Sequence, residues 1–127
     1  MQTKPINAPG VQVPATGYSQ ALEVKDARRM LFISGQTPTT PNGTTPEGFA
    51  AQCRLAWQNI VAQLQAADMS LDNVVMHRTY LADRAYRFEN RAIRNEVLAG
   101  RQPALTVIIA EIFDEAWLLE IEAVAVA

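Results

Sequence analysis

Apolar positions along this chain recur with two periods, and each period predicts a kind of element. Residues 18–26 (YSQALEVKD) alternate, and residues 29–35 (RMLFISG) form a short apolar run closed by a glycine. Both patterns predict strands, and the Asp26-Ala27 step between them predicts a β-hairpin. Residues 73–82 (NVVMHRTYLA) predict a further strand, with Val75, His77, Thr79 and Leu81 on one face and Met76, Arg78 and Tyr80 on the other. The apolar runs 104–113 and 116–127 predict two more strands, joined at a tight Asp114-Glu115 corner.

Between these strands the period lengthens. Phe49, Cys53, Ala56, Ile60, Leu64 and Ala67 recur at spacings of three and four, the stripe of an amphipathic helix. Thr45 is placed to cap it, with Pro46 at its first position and Glu47 near its positive end. Residues 84–99 predict a second helix. Tyr86, Asn90, Ile93 and Val97 share one of its faces, Arg84, Arg87, Arg91 and Arg94 another, and Gly100 stops it. The prolines and glycines of residues 1–17 predict an irregular lead-in, and those of 37–48 a loop.

The predicted order β-β-α-β-α-β-β describes an α+β domain over residues 1–127, with two helices on one face of a mixed sheet. The final strands are apolar on both sides, whereas two helices cover one face only. The second face is therefore expected to meet another copy of the chain in a closed homo-oligomer.

Composition then narrows the chemistry. A chain of 127 residues suffices for one domain, and no stretch approaches the roughly 18 consecutive apolar residues of a membrane helix. A formal net charge of −2 argues against nucleic acid as a partner. The opening MQTKPINAPG lacks a basic-then-apolar signal pattern, so the cytoplasm is the expected compartment. One cysteine cannot close an intramolecular disulfide, and one histidine excludes multi-histidine metal sites. The six glycines form no phosphate-cradling motif. No metal or organic cofactor is expected, which leaves cofactor-free acid–base chemistry or plain binding of a small molecule.

Few residues offer such chemistry. Glu120 and Glu122 lie two apart on a predicted strand and project from one face, roughly 6–7 Å apart. They could divide acid and base roles, or simply form a charged or salt-bridged strand face. The arginine stripe of the second helix could hold an anion or form ion pairs, in a chain with nine arginines and two lysines. His77 reads as a structural histidine and Cys53 as a core residue. Ser34-Gly35 ends a strand, where a hydroxyl and backbone N–H groups could receive a ligand.

Together these motifs resemble the RidA family (reactive-intermediate deaminases, formerly YjgF). The matching segments are Tyr18-Ser19-Gln20-Ala21, Leu31-Phe32-Ile33-Ser34-Gly35-Gln36 with Pro38, Gln52 with Asn59-Ile60, and Asp72 through Val75. Asn90, Pro103-Ala104-x-Thr106 and Glu120-Ile121-Glu122-Ala123-x-Ala125 complete the series. The resemblance implies a homotrimer of chorismate-mutase-like subunits with a ligand cleft at each interface. It also implies cofactor-free hydrolysis of enamines and imines, such as 2-aminoacrylate, to a keto acid and ammonia. On this reading Glu120 handles the attacking water, and Tyr18, Ser34, Gly35 and Asn90 line the cleft.

The chain departs from the family pattern at one position of consequence. An arginine that pairs with the substrate carboxylate is replaced by Leu105, and a nearby cysteine by Val107. Exchanging a guanidinium for an apolar side chain removes a charge-assisted fork contact, at a cost of about 2–5 kcal/mol in binding. Activity on 2-iminopropanoate is therefore expected to be weak or absent, and substrates without an α-carboxylate are favoured. Arg78 is the candidate replacement cation. A non-catalytic small-ligand-binding or chaperone-like trimer of the same fold is the alternative. Ribonuclease activity, assigned to some relatives, fits poorly with the acidic balance and the lone histidine.

Overall fold

The computed structural model describes all residues 1–127. Six strands and two helices follow one another as β1 (Gln2–Ile6), β2 (Ala21–Lys25), β3 (Met30–Gln36), α1 (Phe49–Ala66), β4 (Val74–Leu81), α2 (Arg87–Leu98), β5 (Ala104–Ile109) and β6 (Leu119–Val126). The architecture is the expected α+β class. Four strands form a mixed sheet in the order β3-β6-β4-β5, with β6 antiparallel to both neighbours and β4 parallel to β5. A parallel pair needs a crossover rather than a tight turn, and α2 supplies it.

Both helices pack on one side of this sheet. Cys53, Ala56, Trp57, Ile60 and Leu64 of α1 are buried against Ile121, Ala123 and Ala125 of β6, with Leu81, Ile93 and Leu98 completing the core. Each fully buried aliphatic side chain contributes roughly 1.5–3 kcal/mol by leaving water. The predicted α1 stripe is therefore the core face.

The predicted β2–β3 hairpin is not formed. β2 pairs with β1 in a separate antiparallel ribbon, and β3 lies at the edge of the main sheet. The local reason is in the link. A two-residue hairpin turn of the favoured kind needs positive φ at both central residues, and only Asp26 has it, at 59°. The backbone N–H groups of Arg28 and Arg29 both donate to the Ala127 carbonyl, at 2.7 and 2.9 Å, which extends the β3–β6 ladder backwards through the link. The lead-in of residues 1–17 is likewise only partly irregular, since residues 2–6 form β1.

Other boundaries shift for equally local reasons. α1 begins at Phe49 with Gly48 as its cap residue at φ 87°, not at Thr45-Pro46, and the Pro46 carbonyl is taken by the Gln52 side chain. Residues 84–86 form a 3₁₀ turn capped by the Asp83 carboxylate, so α2 starts three residues late. A bulge between Val74 and Met76 puts Val74 in the core in place of Val75. The Asp114-Glu115 corner is not a hairpin. β5 and β6 flank β4, so residues 110–118 must cross its end. Ala110 N–H donates to the Leu81 carbonyl and Ala82 N–H to the Leu118 carbonyl, both at 2.9 Å.

Candidate functional site

Pairing register decides which side chains share a face. Arg78 pairs with Glu122 and Thr106, and Tyr80 with Glu120 and Ile108, whereas His77 pairs with Ala123 and Leu105. His77 is buried against Trp57 of α1. Residues in register with His77 therefore face the helices, and those in register with Arg78 face the open side.

On the open side the sequence candidates Ser34, Gly35, Arg78 and Glu120 come together. A bulge between Ile33 and Gln36 turns Gly35 towards Glu120. A Cβ added to Gly35 would meet Glu120 Oε1 at 2.0 Å and its Cδ at 2.7 Å, so glycine is what admits the carboxylate there. Glu120, Glu122, Tyr80 and Glu111 line a cavity of about 270 Å³. A neighbouring open depression of about 250 Å³ is lined by Phe32, Ser34, Arg78 and Glu122 among others. Arg78 Nη1 donates to Glu122 Oε1 at 2.9 Å, and the Tyr80 hydroxyl donates to the same oxygen at 3.0 Å. This donation, with desolvation and the carboxylate charge behind it, holds the Tyr80 pKa above its ordinary value.

Two side chains missed as positioning residues hold this region. Gln52, buried on α1, donates to the Pro46 and Ala116 carbonyls at 3.0 Å and accepts from Leu118 N–H at 2.8 Å. It thereby pins the segment leading into Glu120. Asn59 donates to the Thr37 and Thr39 carbonyls at 2.9 and 3.1 Å and so fixes the chain just beyond Gly35. Both stood in the sequence among the segments that carry the family resemblance, but no local pattern assigned them a role.

The remaining candidates lie elsewhere. Leu105 and Val107 are half-buried on the helix-facing side of β5. Asn90 is buried on α2, its Oδ1 3.9 Å from Cys53 Sγ. Tyr18 lies in the arm before β2, close enough to Arg94 to affect its charge. Thus Tyr18, Asn90, Leu105 and Val107 form one group near α2, and Ser34, Gly35, Arg78 and Glu120 another on the opposite face. Within one chain they are not a single cleft.

The arginine stripe also divides. Arg94 is buried, its Nη2 donating to the Thr16 carbonyl at 3.3 Å, and burial followed by the Arg91 charge lowers its pKa. The arm around Thr16 and Gly17 lies against this one member of the stripe. Next to it, His77 has both ring nitrogens without a partner, as do Trp57 Nε1 and Arg94 Nε. Desolvation, then the Arg94 charge, pushes His77 down to about 4. Burial pushes the Cys53 thiol up to about 12. Both fit structural roles. No three His, Cys, Asp or Glu side chains are grouped as metal ligands.

The fold and the sequence are both shared with known proteins. A family model described as Endoribonuclease L-PSP matches residues 6–127. Protein HMF1 of Saccharomyces cerevisiae is 30% identical over 95% of this chain and 92% of its own. A RutC family protein of Pyrococcus horikoshii, PH0854, is 34% identical over 88% of each. Among solved structures, a Rid-family protein of unknown function from Yersinia pestis, YyfB, superposes with a TM-score of 0.86 at 29% identity over the whole of both chains. The chain belongs to the RidA (YjgF) family, which that L-PSP model describes. No helix is long and apolar enough to cross a membrane.

Proposed function

We propose that this chain is a cofactor-free hydrolase of enamine- or imine-type small metabolites, working in the cytoplasm as a homotrimer with clefts between subunits. The observation that carries the reading is the Glu120 carboxylate seated over Gly35 at the rim of a cavity, on the sheet face that the helices leave bare. A carboxylate so placed can take a proton from water as it attacks an iminium carbon, and return it to the departing nitrogen as ammonia leaves. The bare face also carries Phe32 and Met30, apolar surface that suits contact with another subunit.

Substrate range follows from charge. Leu105 offers no cation where the family pattern places one, and Arg78 is already engaged by Glu122. Both observations favour substrates without an α-carboxylate.

Ammonia release from freshly generated imines and enamines, with and without a carboxylate, tests this. Release from the carboxylate-free compounds is expected, falling about 100-fold or more in Glu120→Ala. Gly35→Ala should also lower it, because the Glu120 side chain must swing away. Absence of release from every compound would leave the ligand-binding trimer as the better reading. Release confined to carboxylate-bearing imines would refute the role given to Leu105.

A further inference from the structure

The helix-covered side of the sheet holds a charge that the fold does not answer. Arg94 is 5% exposed, yet none of the ion pairs in the chain includes it. Its Nη2 donates only to the Thr16 carbonyl at 3.3 Å and to Asn95 Oδ1 at 3.5 Å, and its Nε–H reaches no acceptor. The ionisable groups whose charge bears on it are Arg91 and Tyr18, and neither is a carboxylate. Trp57 and His77, each 1% exposed, meet edge to face with ring centroids 5.1 Å apart. Trp57 Nε1 and both ring nitrogens of His77 are without partners too. Arg94 lies near enough for its charge to act on His77.

These groups are short of acceptors, not of donors. Neutral His77 offers one N–H and one lone pair, so Trp57, His77 and Arg94 together present three unpaired N–H donors against one acceptor. Buried donors left unpaired are costly, and a buried cation without an anion is costlier still. A water accepts from two of the donors and leaves the guanidinium charge unanswered. An anion accepts from all three and neutralises that charge. We propose that Trp57, His77 and Arg94 bind one small monovalent anion, of the size of chloride, between α1, α2 and β4. An occupant of that size with three polar partners is on the ordinary scale of interior polar sites.

The ion joins three elements that otherwise meet only through apolar packing. Trp57 comes from α1, Arg94 from α2 and His77 from the helix-facing row of β4. Through the Arg94 bond to the Thr16 carbonyl, it also ties the arm before β2 to the same point. A groove of about 250 Å³ between the helices, lined by Trp57, Val61 and Val97 among others, reaches the indole from outside and gives the ion its way in. Burial of the donor atoms selects for size, because a bulky anion cannot reach them. Glu120 and Gly35 face the other side of the sheet, so this site and the hydrolase reading stand or fall independently.

Bromide tests the assignment, because it is close to chloride in size and scatters X-rays anomalously. Crystals of the unaltered chain grown in sodium bromide are expected to show an anomalous peak in contact with Trp57 Nε1, Arg94 Nε and a His77 ring nitrogen. In solution, the thermal unfolding midpoint should rise with chloride or bromide and then saturate, at an ionic strength held constant with the bulky anion gluconate. Arg94→Met should abolish this saturable rise. Trp57→Phe, which keeps a ring and loses the N–H, should weaken the anion about 10-fold, and it carries the test if Arg94→Met folds poorly. Bromide found only at the surface, or ordered water between these three side chains, would overturn the proposal. So would a midpoint that is the same in chloride and gluconate, or a rise that survives unchanged in the variants.

Discussion

On the helix-covered face of the sheet, Ile33, His77, Thr79, Ile121 and Ala123 are buried. One residue further along the same strands, the open face carries exposed Phe32 and Arg78 beside half-buried Tyr80, Glu120 and Glu122. The backbone is common to both, so the contrast comes entirely from side-chain alternation. The covered face is finished within one chain. The open face has a carboxylate-lined depression, an ion pair and bare aromatic surface, and nothing in the chain covers it. Core burial is concentrated on one side, and the carboxylates among the candidate residues on the other.

The largest effect that would break this contrast is truncation of a core aromatic. Trp57→Ala empties a fully buried position and is expected to cost about 3–5 kcal/mol in urea unfolding. Phe32→Ala, on the open face, should change the unfolding of dilute, dissociated chain by only about 0.5 kcal/mol, and appear instead as weaker self-association in sedimentation. Equal losses at the two positions would erase the distinction.

A second effect concerns His77. Its pKa of about 4 in the folded chain lies below the ordinary 6.5, so unfolding takes up a proton between those values. Stability from this residue is therefore complete above about pH 6.5. It drains as pH falls, by about 3 kcal/mol near pH 4. Denaturation curves at pH 7, 5.5 and 4.5 should show this slope, and His77→Leu should lose it. A variant with an unchanged slope would place the acid sensitivity on the open face instead.

The smallest expected effect is at the Arg78–Glu122 pair. Because both side chains are partly exposed, Arg78→Ala should cost about 0.2–1 kcal/mol, measured by a double-mutant cycle with Glu122→Ala. The same substitution should raise the Tyr80 pKa further in an ultraviolet titration, since the guanidinium normally lowers it. A large stability loss would mean that the open face shares in the core.

Legibility followed the range of the interactions. The α1 stripe was readable because helical burial repeats every three or four residues, and Phe49 through Leu64 obey it. The shared face of Glu120 and Glu122 was readable from parity alone, as was that of Arg78 with Tyr80. Helix starts were misread at Thr45 and Arg84, where a glycine and a 3₁₀ turn intervened. The bulges at Val74 and after Ile33 reset parity locally, and no residue type announces them. Nor did any local pattern separate Arg94 from its stripe, because what lies against it is an arm 78 residues away in the chain.

Sequence by itself determined the periodicities, the α+β class, the family resemblance and the short roster of reactive groups, because these depend on residue type and near-neighbour spacing. Tertiary structure alone decided that β2 leaves β3 for β1, that β6 enters between β3 and β4, and that the candidate residues divide between two faces. Those outcomes turn on backbone groups such as the Ala127 carbonyl, which accepts from Arg28 and Arg29 nearly a hundred residues earlier. A main-chain hydrogen bond carries no residue signature, so its partner is settled only when the strands meet.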